Sequence, residues 1–327
     1  MKNVTMIVPC FNEADVLPMF YKEVKHVFSE CAGYNFTLLF VNDGSKDKTL
    51  EILKFLAERD RSVKYISFSR NFGKEAAMLA GMRNADGDYI GVMDADLQHS
   101  PELIPKMLEA VDKEGYDVAA SLRTDRTGEA KFKSSLSAAF YKVINRISDV
   151  KINDNALDYR IMKRKVVEAI IAMPEKIRFL KGIYSWVGFN VKWFPHENRV
   201  RAAGETKWSI RKLAKYAIDG ILGYTSSPLR IPLWLGFVMG FASVILFLYG
   251  FIRICVSSLW EGAIYVLLLS AILFVGSLIL CSIGIVGEYI SRIYTETKAR
   301  PNYIISETNV GLNMFSTGDE DTADGVE

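Results

Sequence analysis

DYIGVMDAD, Asp88 to Asp96, is a short apolar run that ends in two carboxylates one residue apart, and it reads as a β-strand whose last turn carries chemistry. Working outward, the pattern repeats. VTMIVP (4–9), FTLLFVND (36–43) and VKYISFS (63–69) are strand-like runs. Between them Ala14–Ser29, Lys48–Arg59 and Lys74–Asn84 have helical periodicity. Strand and helix in alternation require crossover connections, which predicts an α/β fold with a mostly parallel sheet flanked by helices. In such sheets ligands bind beyond the carboxyl ends of the strands. The polar residues gather there: Asn12 and Glu13 after the first strand, Asp43 after the second, Arg70 and Asn71 after the third, Asp94 and Asp96 after the fourth.

Two carboxylates at one strand end suit a hard cation shared with the oxygens of a diphosphate, so Asp94 and Asp96 are candidate ligands for Mg²⁺ or Mn²⁺, with Gln98 as a further oxygen donor. A lone DxD is a weak signal; its place among the other polar strand ends strengthens it. Asp43-Gly44-Ser45 has two readings, an ordinary strand-ending turn and a hydrogen-bond acceptor for a nucleotide base. No P-loop lysine motif and no GxGxxG occurs, so kinase-type and dinucleotide-type sites find no support.

Composition divides the chain near Pro228. Half of the 327 residues are hydrophobic, and the excess lies in two nearly uncharged stretches, 231–252 and 263–286, each long enough to cross a hydrocarbon core. Arg253 and Glu261 stand in the short link, so the two form a hairpin. Lys207, Arg211, Lys212, Lys215 and Arg230 precede it and Arg292, Lys298 and Arg300 follow it, which predicts that both chain ends are cytoplasmic. Residues 208–230 hold an amphipathic stretch, Trp208–Tyr224, suited to the headgroup layer or to an ordinary surface helix. Residues 288–327 read as a cytosolic tail with a disordered, Asp/Glu/Thr/Gly-rich end after Glu307. A net charge of +2 gives no electrostatic case for nucleic acid. Cys10, Cys31, Cys255 and Cys281 lack metal-type spacing and read as thiols of a reducing compartment. The N-terminus has no signal-peptide pattern.

PCFNE, NDGS, RNFGKEAAMLAG, DADLQH, LDYR, RAAGETKW and GEYISRIYTETKARPNY occur in that order. Together they resemble the family 2 glycosyltransferases that make polyprenyl-phosphate sugars, over about residues 3 to 305. The hairpin followed by GEYISRIYTETKARPNY is the most specific element. The resemblance implies a GT-A fold over 1–207, an inverting mechanism, a nucleotide-sugar donor with UDP-glucose first, a polyprenyl or undecaprenyl phosphate acceptor, a plasma-membrane location and a homo-oligomer, with a tetramer as one form.

It also implies roles. Pro9, Phe11 and Glu13 would frame the nucleoside and Asp43 the base; Asp94 would lie near ribose and metal, with Asp96 and Gln98 on the metal. Arg123, Lys133 and Ser137 match lipid-phosphate positions, Lys133 standing where relatives usually have Arg. Arg160, Arg201 and Lys207 would add positive charge around the phosphates. Asp158 matches an aspartate often taken as catalytic: a base, a positioning group for acceptor or sugar, or an orienter of Arg160. A phosphate acceptor is already ionised near neutral pH, so the harder task is to bring two anions together. Rival functions fit less well. A processive polysaccharide synthase would carry QxxRW and more helices, an inactive scaffold would not need Asp94, Asp96 and Arg123, and a channel would need polar residues along its helices.

Overall fold

The strand–helix alternation builds β1 (Lys2–Cys10), β2 (Tyr34–Asn42), β3 (Val63–Phe68) and β4 (Tyr89–Val92), joined by α1 (Leu17–Glu30), α2 (Thr49–Arg59) and α3 (Lys74–Asn84). The structure is a computed structural model that describes residues 1–123, 155–173, 175–176, 178–196 and 261–311. β1 pairs in parallel with β2 and with β4, and β2 with β3, so the four strands point their carboxyl ends to one edge. α1 buries Leu17, Phe20, Val24, Val27 and Phe28, the one-sided spacing of a helix lying on a sheet. α3 instead buries every residue from Ala76 to Met82, as a helix with no polar face must. It lies so close to β1 that a Cβ on Gly81 would overlap the Ile7 side chain.

After β4 a 3-10 turn (Pro101–Leu103) leads into α4 (Ile104–Asp112) and β5 (Val118–Arg123). β6 (Ala156–Lys163), α5 (Arg164–Ile171), α6 (Leu180–Trp186) and β7 (Val191–His196) follow. With a last strand, β8 (Ile305–Thr308), the sheet is completed in the order β7-β5-β6-β4-β1-β2-β3-β8. β6 runs antiparallel to β4, with Val92 opposite Arg160, so the start of β6 lies at the edge where β4 ends.

The last strand, β8 (Ile305–Thr308), pairs antiparallel with β3. The expected tail over 288–327 is described only as far as residue 311; the rest of its end lies outside the described residues. Residues 288–297 belong to a helix, and 305–308 are sheet, stitched to β3 by Thr308 Oγ1 donating to the Tyr65 carbonyl (2.6 Å) and by Tyr65 N–H donating to Asn309 Oδ1 (2.7 Å).

The chain divides into two compact units. Of the described residues, the sheet domain holds 301–311 together with the strands and helices up to His196, and the other unit holds 261–300. Within the second, α7 (Glu261–Thr297) is a 37-residue helix, about 55 Å long at the usual rise. It contains the whole of the second apolar stretch, 263–286. The first stretch, 231–252, and the amphipathic stretch 208–224 lie outside the described residues. Among the residues described in full, no helical stretch is both long and apolar enough to cross a membrane.

Candidate active site

The loops that leave β1 and β2 are tied to each other. Asn12 adopts a left-handed conformation (φ 54°), which Asn tolerates. Its N–H donates to Ser45 Oγ (2.9 Å), and its Oδ1 accepts from Lys46 N–H (2.9 Å). Glu13 N–H donates to Thr49 Oγ1 (2.9 Å), while the Glu13 carbonyl accepts the amides of Val16 and Leu17 and so opens α1. Pro9 pairs with Val41 within the sheet, and Phe11 is half-buried just beyond it.

Asp43 is buried, and both of its oxygens are engaged. Oδ1 accepts from Phe72 N–H (2.6 Å) and Oδ2 from Gly73 N–H (2.9 Å). Burial pushes its pKa above the ordinary carboxylate value, and the two amides and the Arg70 charge pull it back only in part. Asp43 therefore holds the loop between β3 and α3. Gly44 lets that loop approach: it sits at φ 63°, and a Cβ there would overlap the Arg70 backbone.

That loop delivers Lys74, the first residue of α3, to the centre of the edge. Lys74 Nζ lies 2.7 Å from Asp94 Oδ1 and 2.7 Å from Asp158 Oδ2. The sheet explains the meeting: carrying the β4–β6 register two residues past Val92 and Arg160 brings Asp94 alongside Asp158. Burial works against the charge on Lys74, but the two carboxylates outweigh it and hold its pKa above the ordinary value. For Asp158 burial acts upward, and Lys74, Lys181 and Arg160 overcome it, leaving the carboxyl well below the usual range. Lys74 was not anticipated from the sequence. Its signal is a lysine at the first position of a helix that follows a strand end.

The segment after β4 is tightly turned. Leu97 is buried yet has φ 56°, a conformation that costs a non-glycine residue on the order of 1–3 kcal/mol and that concentrates at functional loops. The turn lets Gln98 N–H donate to Asp96 Oδ1 (3.1 Å). His99 is buried, with Nε2 3.9 Å from Asp94 Oδ2 and its ring stacked on Tyr159 (5.6 Å).

Arg123 ends β5 on the same edge, its N–H donating to the Asn155 carbonyl (2.9 Å) ahead of β6. Arg160 differs from its expected placement around phosphates. It is 3% exposed; its Nη2 donates to the Leu157 carbonyl (2.8 Å), and its guanidinium lies 3.4 Å from the Tyr184 ring centroid. Nε makes a longer contact with the backbone carbonyl of Asp158 (3.4 Å). Lys133, Ser137, Arg201 and Lys207 lie outside the described residues.

Among the described residues, no three carboxylate, imidazole or thiolate groups converge closely enough to cage a metal unaided. Two carboxylates do converge on one ammonium, so the locus already draws a cation with oxygen donors. Asp94 at that locus, with Asp96 and Gln98 two and four residues further on, is a donor set of the kind that holds Mg²⁺ or Mn²⁺ through one or two carboxylates, completed by phosphate oxygens and water.

Residues 5–171 match Glycosyl transferase family 2, and residues 227–293 match the GtrB C-terminal hairpin, a range that encloses both apolar stretches. Over 304 residues the chain is 43% identical to a prophage bactoprenol glucosyl transferase homolog of Escherichia coli K12, covering 92% of this chain and 98% of that one. It is 41% identical over 310 residues to a SfII prophage-derived bactoprenol glucosyl transferase of Shigella flexneri, covering 94% and 99%. A solved glucosyl-3-phosphoglycerate synthase of Mycobacterium tuberculosis aligns over 66% of this chain and 76% of its own, at 17% identity and a TM-score of 0.42. That likeness is too distant to bear on chemistry.

Proposed function

This chain belongs to the family 2 glycosyltransferases and is a polyprenyl-phosphate glycosyltransferase of GT-A type; on that premise we propose that it moves a hexose from a UDP-sugar, glucose first, to undecaprenyl phosphate with inversion at the anomeric carbon. The product would serve modification of cell-envelope glycans. The observation that carries the chemistry is the convergence of Asp94 and Asp158 on Lys74 at the edge where β4 ends and β6 begins.

An acceptor phosphate is an anion, and so is the donor diphosphate. Transfer needs cationic groups that hold both without moving. Arg123 at the end of β5 would supply positive charge from this chain, with Lys133, Arg201 and Lys207 as further candidates, while Lys74 is committed to Asp94 and Asp158 and fixes both carboxylates at the edge. Asp94, Asp96 and Gln98 would hold Mg²⁺ or Mn²⁺, which when bound neutralises charge on the departing nucleotide. Asp158 is paired with Lys74 at 2.7 Å and stays ionised, so it accepts hydrogen bonds well and takes protons poorly. Its role is to position the sugar or the acceptor. Arg160 is buried, with its guanidinium over the Tyr184 ring of α6.

The acceptor's isoprenoid tail calls for a membrane. α7 supports one: Leu268, Ile272, Val275, Ile279, Ile283 and Val286 follow each other at three- and four-residue steps and are each 46–61% exposed, an apolar stripe that water disfavours. The hairpin itself rests on the sequence, in which two nearly uncharged stretches, 231–252 and 263–286, are joined by a short link. Both ends would then lie on the cytoplasmic side, as the charge pattern suggests, and a homo-oligomer in the membrane is part of the proposal.

The test is purified full-length chain with Mn²⁺, undecaprenyl phosphate and a panel of labelled UDP- and GDP-sugars. UDP-glucose should give the fastest lipid-linked product, in the β configuration from an α donor. A faster GDP-mannose reaction would refute the donor assignment, and an α-linked product would refute inversion.

A further inference from the structure

The segment Pro301–Asn309, which follows α7, lies along β3, the strand that leads into the Asp43-held loop. Ser69 N–H donates to the Ile304 carbonyl (3.0 Å), and Ser306 Oγ donates to the Ser67 carbonyl (3.0 Å). The pairing shifts register between Ser67 and Phe68, an irregularity at the point where the strand gives way to the loop. There Tyr303 stacks on Phe68, with centroids 5.0 Å apart and planes 13° apart. Phe68 is 3% exposed and meets the Phe72 ring edge-on at 5.8 Å. Phe72 also carries the Arg70 guanidinium 4.1 Å from its centroid, and its backbone N–H is the 2.6 Å donor to Asp43.

Each contact in this series restricts the next. The Phe72 amide meets Asp43 while the Phe72 ring lies against Phe68, and Tyr303 stacks on Phe68. Without Tyr303 the stacked face would open to solvent, and the Phe68 ring could turn away from Phe72. Nothing in the chemistry of transfer needs an aromatic residue at 303, yet the stack ends on the loop that precedes Lys74.

We propose that Tyr303 is a positioning residue for nucleotide-donor binding, acting through Phe68 and Phe72 on the loop that Asp43 holds. The inference rests on the reading of the Asp43 edge as the nucleoside subsite. It gives the aromatic end of the RPNY motif a function that the membrane hairpin does not explain: the segment that closes the sheet also sets the donor site.

The experiment uses the full chain in detergent, with UDP alone and Mn²⁺ as the probe, and reads the dissociation constant by calorimetry beside amide hydrogen exchange. Tyr303→Ala should weaken UDP binding about three- to tenfold, the range one lost aromatic stack implies. It should raise exchange at Phe72 and Gly73 by a similar factor and leave the amides of β1 and β4 unchanged. Tyr303→Phe, which keeps the ring, should bind UDP within about twofold of the parent. In steady state the donor KM should rise with kcat nearly constant. Unchanged UDP affinity in Tyr303→Ala, or faster exchange spread evenly over the sheet, would overturn the proposal. Should Tyr303→Ala not fold, Tyr303→Leu, which fills volume without a stacking face, carries the same expectations. A parent chain that binds neither UDP nor GDP would sink the nucleoside-subsite reading instead, and exchange at Phe72 and Gly73 would still decide whether Tyr303 governs the loop.

Discussion

Lys74 Nζ stands 2.7 Å from Asp158 Oδ2 across 84 positions of sequence, and the same ammonium reaches Asp94. One cation thus joins the end of β4 to the start of β6 at the edge where the donor is proposed to bind. Replacing it by the near-isosteric Lys74→Met would leave Asp94 and Asp158 facing each other without the ammonium that joins them. kcat/KM for transfer to undecaprenyl phosphate should fall by about 10²-fold, the usual cost of losing one preorganised electrostatic group. The loss in Tm should be small, because the Lys74 side chain is 37% exposed and solvent screens it.

Asp96 contributes through its proposed cation. Asp96→Asn removes charge while keeping an acceptor for the Gln98 amide. Mn²⁺ affinity in the presence of UDP, read by electron paramagnetic resonance, should weaken by roughly tenfold or more. Unaltered Mn²⁺ binding would remove Asp96 from the metal assignment.

Gly44 is where the loops after β2 and β3 touch. Gly44→Ala places a side chain at φ 63° and against the Arg70 backbone, so it should cost about 1–3 kcal/mol in chemical denaturation. UDP affinity should drop with it, since Asp43 and the Phe72 amide are on either side of the contact. Gly33, at φ 95° with open space around it, is the control: Gly33→Ala should affect stability alone.

At the opposite edge of the sheet, Asp112 takes hydrogen bonds from the Tyr34 and Tyr89 hydroxyls (2.7 Å each) and an ion pair from Lys2. Lys2 first, then Tyr34, hold its pKa down at about 2 from an ordinary 3.8. A depressed carboxyl stabilises the fold above its unfolded pKa, and that contribution fades as pH falls from 3.8 toward 2. Stability measured across that window should decline in the parent chain and decline less steeply in Asp112→Asn.

The parallel strands β1 to β4 were legible because each is an apolar run that stops at polar residues, and that reading also placed Asp43, Asp94 and Asp96 on one edge. Sheet order was not legible. That β6 lies beside β4, which brings Asp158 to Asp94 and Lys74, is a long-range pairing with no local signature in ALDYRIMK. Arg160 shows the limit of reading charge: an arginine in a motif rich in site residues is buried under Tyr184 and bonded to backbone carbonyls. The segment after Glu307 reads as polar and loose, yet Thr308 and Asn309 bond to β3, because an edge strand can be held by side-chain and backbone polar groups with few apolar residues. The family resemblance supplied the reaction, which composition and periodicity alone do not contain.

Fixed charge, with no general base, is proposed to drive transfer to an anionic acceptor. The most direct measurement compares undecaprenyl phosphate with undecaprenol as acceptors for the full chain, at saturating UDP-glucose and Mn²⁺. Sugar transfer to the phosphate should be rapid, with none above background to the alcohol, whose proton no group among the described residues is poised to remove. Comparable transfer to both acceptors would contradict it.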